Sequence, residues 1–350
     1  MADELSKAGT DPVLIEKLKK DRITVDKELP PMEFLLRLFD VPICPRGELV
    51  AFTGKAKSGT TLVPSMIMAA ASAAEVLAFR RTTFEPLQVL WIDTEQSDQS
   101  TQDILRNRIV PMVCDPTPDP SLTMGGELFP EHLYDIFNIR TESWTERLPL
   151  LTAAIDLCHP DLVVLDGVRD LVDDINNGPL AHDVTERLMR VAQQARCCIV
   201  CVIHQNKAAE DRTLRGSIGT ELTNKAFEVY ECEKLPSRTF VLTQKHTRKY
   251  DITESLYFTV DDRGLPQQVG APQTSGQIQS PQDAYLILFR QALADYDRLS
   301  GDELRSKVMS AAGMTSFKVY GMLLDKALSD GLIQRKEEKR HVFYSLSRPE

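Results

Sequence analysis

The sequence predicts an α/β protein whose main domain is a mostly parallel sheet covered by helices on both faces. Apolar runs of strand length alternate with segments of helical periodicity between residues 49 and 204. The first run leads through a glycine-bearing loop into a helix, an arrangement that gathers backbone N–H groups around an anion. After residue 262 the composition shifts to Gly, Pro, Gln and Ser, which marks a linker and a separate C-terminal domain.

Composition and turn residues divide the 350 residues into four segments. Residues 1–35 are expected to be a polar N-terminal arm with one or two short helices, ending at a turn from Pro42 to Gly47. This arm packs either on a neighbouring subunit or on its own domain. Residues 36–262 form the α/β domain, 263–282 the linker, and 283–348 three helices and a two-stranded hairpin, the pattern of a winged helix.

The order of elements in the α/β domain places several polar residues at one edge of the sheet. Strands are expected at 49–52, 89–93, 162–166 and 198–203, with helices at 61–74, 97–110, 145–158 and 185–195. A long Pro- and Gly-rich loop is expected at 111–130, and antiparallel edge strands at 227–233 and 239–244. Ligands bind at the carboxyl ends of parallel strands, where Glu95, Asp166, His204 and the glycine loop are expected to lie.

Charge and composition exclude several classes of protein. A net charge of −10 argues against coating nucleic acid through overall charge, so any contact with DNA needs a local basic surface. No apolar run approaches the ~20 residues of a membrane span, and the first nine residues carry no apolar signal region, so we expect a cytoplasmic protein. The seven cysteines are irregularly spaced and are expected to be reduced. Cys197, Cys198 and Cys201 fall in an apolar strand and are expected in the core, without zinc.

The glycine loop, GKAKSGTT at residues 54–61, matches the P-loop template G-x-x-x-x-G-K-[ST] except at one position. Thr60 stands where the template has lysine. A charge-assisted bond from that lysine contributes roughly 1.5–3 kcal/mol, so its loss weakens nucleotide binding about 10- to 150-fold. The residues predicted to bind ATP are Gly54, Lys55, Lys57, Ser58, Gly59, Thr60 and Thr61, with Lys55 and Lys57 as alternative sources of the missing charge.

Three residues at the strand ends are candidates for the remaining nucleotide chemistry. Asp166, together with Thr61, is predicted to hold Mg²⁺; the alternative is an aspartate that caps a turn. Glu95 can orient and deprotonate the attacking water, or it is simply a solvated glutamate. His204 precedes Gln205, Asn206 and Lys207, a polar strand end that suits a sensor of the γ-phosphate.

Basic residues further along the chain have two interpretations each. Arg212, Arg215 and Lys225 flank the loop RGSIGT, which either enters a channel and binds phosphates or supplies an arginine to a neighbouring subunit. Lys245 and Arg248 lie in the run QKHTRKY and have no evident partner in the local sequence. They are either basic fingers offered to a neighbour or part of a solvated turn.

With these motifs, residues 36–260 resemble the RecA/DnaB-type ATPase core, and most of all the RepA-type hexameric helicases of plasmids and mobile elements. The resemblance rests on the order of GKAKSGTT, WIDTEQ, VVLDG, VIHQNK, RGSIGTE and KHTR. It implies a ring of six protomers, with ATP between neighbours, DNA in the channel, and hydrolysis that drives movement. By the same resemblance Arg215 is a channel-loop or interface arginine, and Lys245 and Arg248 act in trans. Thr60 departs from the family pattern and puts ATP turnover in question.

The resemblance does not cover the C-terminal domain. Its helix at 316–330 is the expected recognition helix, with Lys318, Tyr320 and Lys326 outward. The basic residues predicted in the wing are Arg335, Lys336, Lys339 and Arg340. Such a domain binds DNA or docks a protein, and Asp325, Glu337 and Glu338 dilute its basic face.

We therefore expect an oligomeric RecA-fold protein that acts on DNA in replication or transfer of a mobile element. The alternative is a ring scaffold or DNA-binding regulator that does not hydrolyse ATP.

Overall fold

The computed structural model describes residues 11–55, 58–114, 129–205, 216–235, 239–271, 288–294, 296–311, 316–338 and 341–347. The chain divides into two compact units, Met1–Gly270 and Ala271–Glu350. None of the helices in these described ranges has the length and apolar character needed to cross a bilayer.

The first unit contains helices and strands in mixed order. Its helices are α1 (Pro12–Asp21), α2 (Leu62–Ala73), α3 (Asp98–Ile104), α4 (Val110–Cys114), α5 (Trp144–Cys158), α6 (Gly178–Ala195) and α7 (Gly216–Lys225). A π-helical turn, Leu105–Ile109, joins α3 to α4, and 3₁₀ turns cover Glu131–Leu133 and Val168–Leu171. Its strands are β1 (Phe34–Leu38), β2 (Val41–Pro45), β3 (Leu49–Gly54), β4 (Glu75–Val76), β5 (Phe79–Arg81), β6 (Val89–Asp93), β7 (Tyr134–Asn138), β8 (Leu162–Asp166), β9 (Cys198–His204), β10 (Glu228–Lys234), β11 (Phe240–Thr247), β12 (Leu256–Val260) and β13 (Pro266–Gln268).

A nine-stranded sheet organises this unit, in the order β13-β12-β11-β10-β3-β9-β8-β6-β7. The strands from β10 to β7 in that order are parallel, and β11, β12 and β13 extend the sheet antiparallel. The predicted α/β fold with a mostly parallel sheet is confirmed.

Alternating side chains of the central strand bury both faces of the sheet. Val50 and Phe52 pack in the cluster that includes α2, where small residues such as Ala69 and Ala70 let the helix approach closely. Leu49 and Ala51 pack in the opposite cluster, with residues from α5, α6 and α7. The predicted burial of Cys197, Cys198 and Cys201 is confirmed. The strands are buried on both faces because helices cover both, as expected of parallel sheets.

Strand β10 was expected at the antiparallel edge, and that expectation is wrong. It pairs in parallel with β3, from Glu228 opposite Val50 to Cys232 opposite Gly54. The segment EVYECEK carries acidic residues, yet Glu228 and Glu231 are both buried. The structure accommodates them because Glu228 accepts a hydrogen bond from the Cys44 backbone N–H and Glu231 has side-chain partners.

The expected turn from Pro42 to Gly47 is also wrong, because most of it is strand β2. A second sheet, in the order β2-β1-β5-β4, is antiparallel throughout. Its buried side chains include Leu36, Ile43 and Phe79. Prolines suggested a turn, but β2 is an edge strand, where a residue without an N–H is tolerated.

The second unit is a small helical domain with a three-stranded antiparallel sheet. Its described elements are a helical segment from 288 to 293, β14 (Leu299–Ser300), α8 (Gly301–Ala311), α9 (Phe317–Ser329), β15 (Ile333–Glu338) and β16 (His341–Leu346). The sheet order is β14-β16-β15. Tyr320 was expected to point outward, which is wrong: it is buried with its ring 6.0 Å from that of Phe289. Lys318, two residues earlier on the helix, is exposed.

Candidate functional site

The carboxyl ends of four parallel strands bring the predicted polar residues together. Register places Gly54 beside His204 on neighbouring strands and Asp93 beside Asp166 on the next pair. Side chains that are more than a hundred residues apart in sequence therefore share one edge of the sheet. The glycine loop starts at this edge, at the end of β3.

Both glycines of the loop are required by their surroundings. A Cβ atom on Gly54 would lie 2.2 Å from Ser58 Oγ and 2.4 Å from the carbonyl oxygen of Cys232. Gly59 has a φ of +86°, and a Cβ atom there would lie 2.8 Å from a ring carbon of Phe240. The loop is thus packed closely against β10 and β11. The Cys232 thiol also donates to the carbonyl oxygen of Ser58, at 3.0 Å.

The loop offers groups that fit an anion. The hydroxyl oxygens of Thr53 and Ser58 are buried and form no hydrogen bond in the described part of the chain. Buried hydroxyls without a partner are costly, and an anion oxygen would supply that partner. At the start of α2, Thr61 is the N-cap residue, and its side chain forms no capping hydrogen bond. The loop therefore has the donors of a phosphate cradle.

The position of the template lysine is filled by a small buried side chain. Thr60 is only 5% exposed, and its methyl carbon lies 2.9 Å from where a Cβ of Gly54 would be. Lys55 is exposed, and Lys57 lies outside the described residues. A methyl group therefore occupies the place from which a cation would extend to the phosphates.

Asp166, at the end of β8, is a buried carboxyl group with a raised pKa. Burial, and then the charges of Asp93 and Glu95, raise its pKa to about 7, while His204 and Gln96 act in the opposite direction. The Gln96 amide lies 3.5 Å from the Asp166 carboxylate. A bound cation would reverse this balance by favouring the ionised form.

The sequence interpretation missed Asp93 as a functional residue. Asp93 is fully buried and accepts hydrogen bonds from the backbone N–H groups of Glu95 and Gln96, both at 3.0 Å. Its other oxygen accepts from the Thr101 hydroxyl at 2.7 Å. Asp93 therefore fixes the turn that carries Glu95. Its position at the end of an apolar strand, like that of Asp166, was the available signal.

Glu95 and His204 form a pair at the same edge. His204 Nε2 lies 3.5 Å from Glu95 Oε2, and both side chains are about one-third exposed. The hydrogen bond with Glu95 is the main cause of a raised His204 pKa. The other ring nitrogen of His204 is buried, and the backbone of Gly54 also contributes to the raised pKa. This pair can hold a proton beside the glycine loop.

The α/β domain matches a known protein family. The family model AAA_25, described as an AAA domain, matches residues 16–210, more than half of the chain. The chain belongs to the AAA_25 family. Among solved structures, the crystal structure of the RadB recombinase is similar, with a TM-score of 0.43 and 16% identity over 63% of this chain and 90% of that one. No curated protein matches.

In this AAA_25 domain the glycine loop is the P-loop of a nucleotide-binding fold, and such domains generally use a nucleotide with Mg²⁺. Within the described ranges no group of three His, Cys, Asp or Glu side chains could hold a metal by itself. Mg²⁺ in P-loop proteins is instead held by one or two protein oxygens together with phosphates and waters. Thr61 and Asp166 are chemically suited to be those protein ligands.

Two of the basic residues have partners that the sequence did not indicate. Lys245 lies 2.6 Å from the carboxylate of Glu231. The Arg248 guanidinium donates to the carbonyl oxygens of Asn224, Lys225 and Ala226, at the end of α7. These partners lie outside the run QKHTRKY, so the local sequence could not show them, and the action of both residues on a neighbour stays a prediction. Arg212 and Arg215 lie outside the described residues.

Gly167 closes the turn after Asp166, and only glycine fits there. Its φ is +102°, and a Cβ atom would lie 2.2 Å from the Thr94 hydroxyl and 2.7 Å from Glu95 Cγ. The Thr94 hydroxyl is within 3.0 Å of the carbonyl oxygens of Asp166 and Gly167. This turn holds the Glu95 segment against the end of β8.

We expect Gly167→Ala to lower the free energy of unfolding by about 1–3 kcal/mol from backbone strain, with a further loss from the contact with Thr94. Urea denaturation measures the sum. Gly264→Ala is the matched control, because Gly264 has a φ of +85° but no atom within 4 Å of its added Cβ. Equal losses in the two variants would show that the contact with Thr94 is unimportant.

Proposed function

We propose that this AAA_25 protein is an oligomeric ATP-binding protein that acts on DNA in replication or transfer of a mobile element, with ATP turnover impaired by Thr60. One observation carries the proposal. The P-loop lies beside Asp166, Glu95 and His204 at one edge of the sheet. Both of its glycines are required by steric contacts, and the buried hydroxyls of Thr53 and Ser58 form no hydrogen bond in the described residues. The same loop carries a buried threonine in place of the lysine.

The roles proposed for the individual residues follow from their positions. Gly54, Ser58 and Gly59 shape the loop around the phosphates, and Thr61 and Asp166 hold the Mg²⁺, which neutralises phosphate charge when bound. Glu95 accepts a proton from the attacking water. Asp93 keeps Glu95 in place through two backbone hydrogen bonds. His204 exchanges a proton with Glu95 and senses the phosphate.

The proposed assembly is a ring of six protomers with DNA in its channel. Arg248 supports this because it lies at the end of the sheet opposite the P-loop. Its backbone N–H donates to the carbonyl oxygen of Phe227, the residue before β10 begins, whereas the P-loop starts beside the other end of β10. Four to five residues along β10, at about 3.3 Å per residue, separate Phe227 from the level of Gly54. Arg248 is thus placed to act on a neighbour and not on its own nucleotide. Arg215 and Lys225 are proposed to contact DNA or the neighbouring site.

The C-terminal unit is proposed to be a winged helix that adds affinity for DNA. Its order of helix, short strand, two helices and hairpin supports the assignment. The described part of the hairpin is electrically balanced, since Arg335 pairs with Glu337 at 2.5 Å and Lys336 with Glu338 at 3.1 Å. Net positive charge must come from Lys318 on α9 and from Lys339 and Arg340, which lie outside the described residues.

We expect reversal of Lys336, Lys339 and Arg340 to glutamate to weaken DNA binding of all sequences alike. Each lost phosphate contact lowers the slope of log affinity against log salt by about 0.9 for duplex DNA. Fluorescence anisotropy with labelled DNA at several salt concentrations measures both quantities. Reversal of Lys17, Lys19 and Lys20 on α1 is the matched control. If deletion of residues 283–350 leaves affinity and slope unchanged, the domain docks a protein instead.

A second candidate function is a ring scaffold or DNA-binding regulator that does not hydrolyse ATP. The buried methyl of Thr60 at the lysine position favours it. Both candidates require nucleotide binding, assembly and DNA binding. Equilibrium binding of a fluorescent ATP analogue with Mg²⁺ tests the first, light scattering the second, and binding of labelled single-stranded DNA the third. A chain that binds neither nucleotide nor DNA, or that stays monomeric with nucleotide, would contradict both.

A further inference from the structure

We propose that the outer face of helix α9 pairs with the same face of a second copy of this chain, as an antiparallel helix pair with two-fold symmetry. This inference goes beyond the proposed nucleotide-dependent ring, because it joins chains through the C-terminal unit and needs no nucleotide. It starts from the side chains that α9 leaves exposed.

The outer face of α9 combines apolar side chains with balanced charge. The inner face of the helix is buried in the core of its unit. Three large apolar side chains nevertheless remain exposed: Phe317 by 67%, Val319 by 43% and Met322 by 65%. The helix also exposes one base, Lys318, and one acid, Asp325. Surfaces that bind DNA are strongly positive, so this face is better suited to a protein.

The two charges are spaced so that the face is complementary to itself. Lys318 and Asp325 are seven residues apart, so they lie two turns apart on one line of the helix, separated by about 10 Å. They cannot pair with each other at that distance, and neither forms an ion pair with another described residue. In an antiparallel pair about a two-fold axis, Lys318 of each copy lies opposite Asp325 of the other. One lysine and one aspartate thus give two intermolecular ion pairs.

The same register places a glycine opposite a large side chain. The midpoint between positions 318 and 325 falls between Gly321 and Met322, so the two-fold axis passes there. Met322 of each copy then faces Gly321 of the other. The flexible methionine side chain can fill the space that the glycine leaves, and the missing side chain lets the helix axes approach to about 8–10 Å.

Gly321 is not explained by contacts within its own unit. Glycine weakens the interior of a helix relative to alanine. A Cβ atom on Gly321 would meet no atom within 4 Å, and the backbone there is not in the left-handed region. The unit itself would therefore accept a side chain at this position. A second helix that approaches closely supplies a reason for its absence.

The pairing assigns the two parts of the C-terminal unit to different partners. Helix α9 contacts the second copy, and Lys318 is used in that contact. The proposed affinity of the unit for DNA then rests on the hairpin residues Lys336, Lys339 and Arg340.

The test exchanges charges across the proposed pair and measures the mass of the full chain by light scattering, without nucleotide. The wild type is expected to dimerise. Lys318→Asp and Asp325→Lys each place like charges opposite one another twice, so each is expected to weaken dimerisation about 10- to 100-fold. An equimolar mixture of the two variants is expected to restore it, because both pairs then have opposite charges. Lys17→Asp on the exposed helix α1 is the control and should leave the mass unchanged.

Cysteine substitution checks the register of the pair. Met322→Cys places its two copies beside the axis, where a disulfide can form, so oxidation with diamide is expected to give a covalent dimer. Lys318→Cys is expected to give none, because its two copies lie about 10 Å apart along the pair. The unsubstituted chain, in which Cys114 and Cys158 are partly exposed, gives the background.

The inference is overturned if the wild type stays monomeric at the highest concentration measured, if the mixture of charge variants fails to dimerise, or if Met322→Cys crosslinks no more than the background. Assembly that neither substitution alters belongs to other surfaces and also overturns it. If Lys318→Asp instead lowers affinity for duplex DNA and leaves the mass unchanged, DNA occupies this face. None of these outcomes depends on nucleotide, so the proposed role of the P-loop is tested separately.

Discussion

Thr60→Lys is expected to tighten ATP binding about 10- to 150-fold and to raise ATP turnover from a slow or undetectable rate. The affinity gain is that of one charge-assisted hydrogen bond to phosphate. The gain in turnover is expected to exceed it, because charge stabilisation in the transition state does most of the catalytic work in phosphoryl transfer. The remaining groups, Asp166, Glu95 and His204, already share the edge at which the loop begins.

The measurement compares ATP turnover of the two chains with and without single-stranded DNA. Thr60→Met is the matched control, because methionine has similar length but no charge. A gain with lysine and none with methionine assigns the effect to the cation. Vigorous turnover by the chain as it stands would contradict the prediction and would point to Lys55 or Lys57 as the substitute for the missing lysine.

Asp166→Asn is expected to stabilise the protein at pH 8 in the absence of nucleotide and Mg²⁺. The Asp166 pKa is raised from its ordinary value of 3.8 to about 7 in the folded chain, mainly by burial. Between these values the folded state binds the proton more tightly than the unfolded state, so stability falls as pH rises from about 4 to 7. About three pKa units correspond to roughly 4 kcal/mol at most. Asparagine removes this loss because it never ionises.

Urea denaturation of both chains at pH 4, 6 and 8 checks this linkage. The stability difference in favour of asparagine should be smallest at pH 4 and should level off above pH 7. The exposed Asp251 provides a control, Asp251→Asn, for which we expect little difference at any pH. Mg²⁺ binding should show the opposite trend and strengthen as pH rises through 7, because the cation competes with the proton. A stability difference that is independent of pH would contradict the assignment.

The sequence was sufficient for the loop and the strand-end residues because local patterns specify them. Gly54, Gly59 and Thr61 are recognisable from their spacing, and Asp166 and His204 each end an apolar run that can only be a buried strand. The edge that gathers them follows from parallel topology alone.

Contacts between side chains on different strands could not be predicted in the same way. Lys245 meets Glu231 because β11 folds back on β10 across a register shift between Val229 and Tyr230, which leaves no mark in a linear pattern. Strand β10 was expected at the edge, because the sequence does not show that it pairs in parallel with β3; the partners of Glu228 and Glu231 explain how its acids are buried. Tyr320 was placed outward because a hydroxyl on a helix does not reveal which neighbour covers its ring.

The close contact between Gly59 and Phe240 couples strand β11 to the P-loop. A Cβ atom on Gly59 would lie 2.8 Å from a ring carbon of Phe240, so a displacement of the loop toward β11 would press on this ring. Phe240 is the first residue of β11, and Arg248 directly follows its last residue. The two are joined by the eight residues of β11, which pair with β10 on both sides of the register shift at Val229 and Tyr230. In the assembly proposed above, a shift of the loop would therefore reach Arg248 at the opposite end of β11.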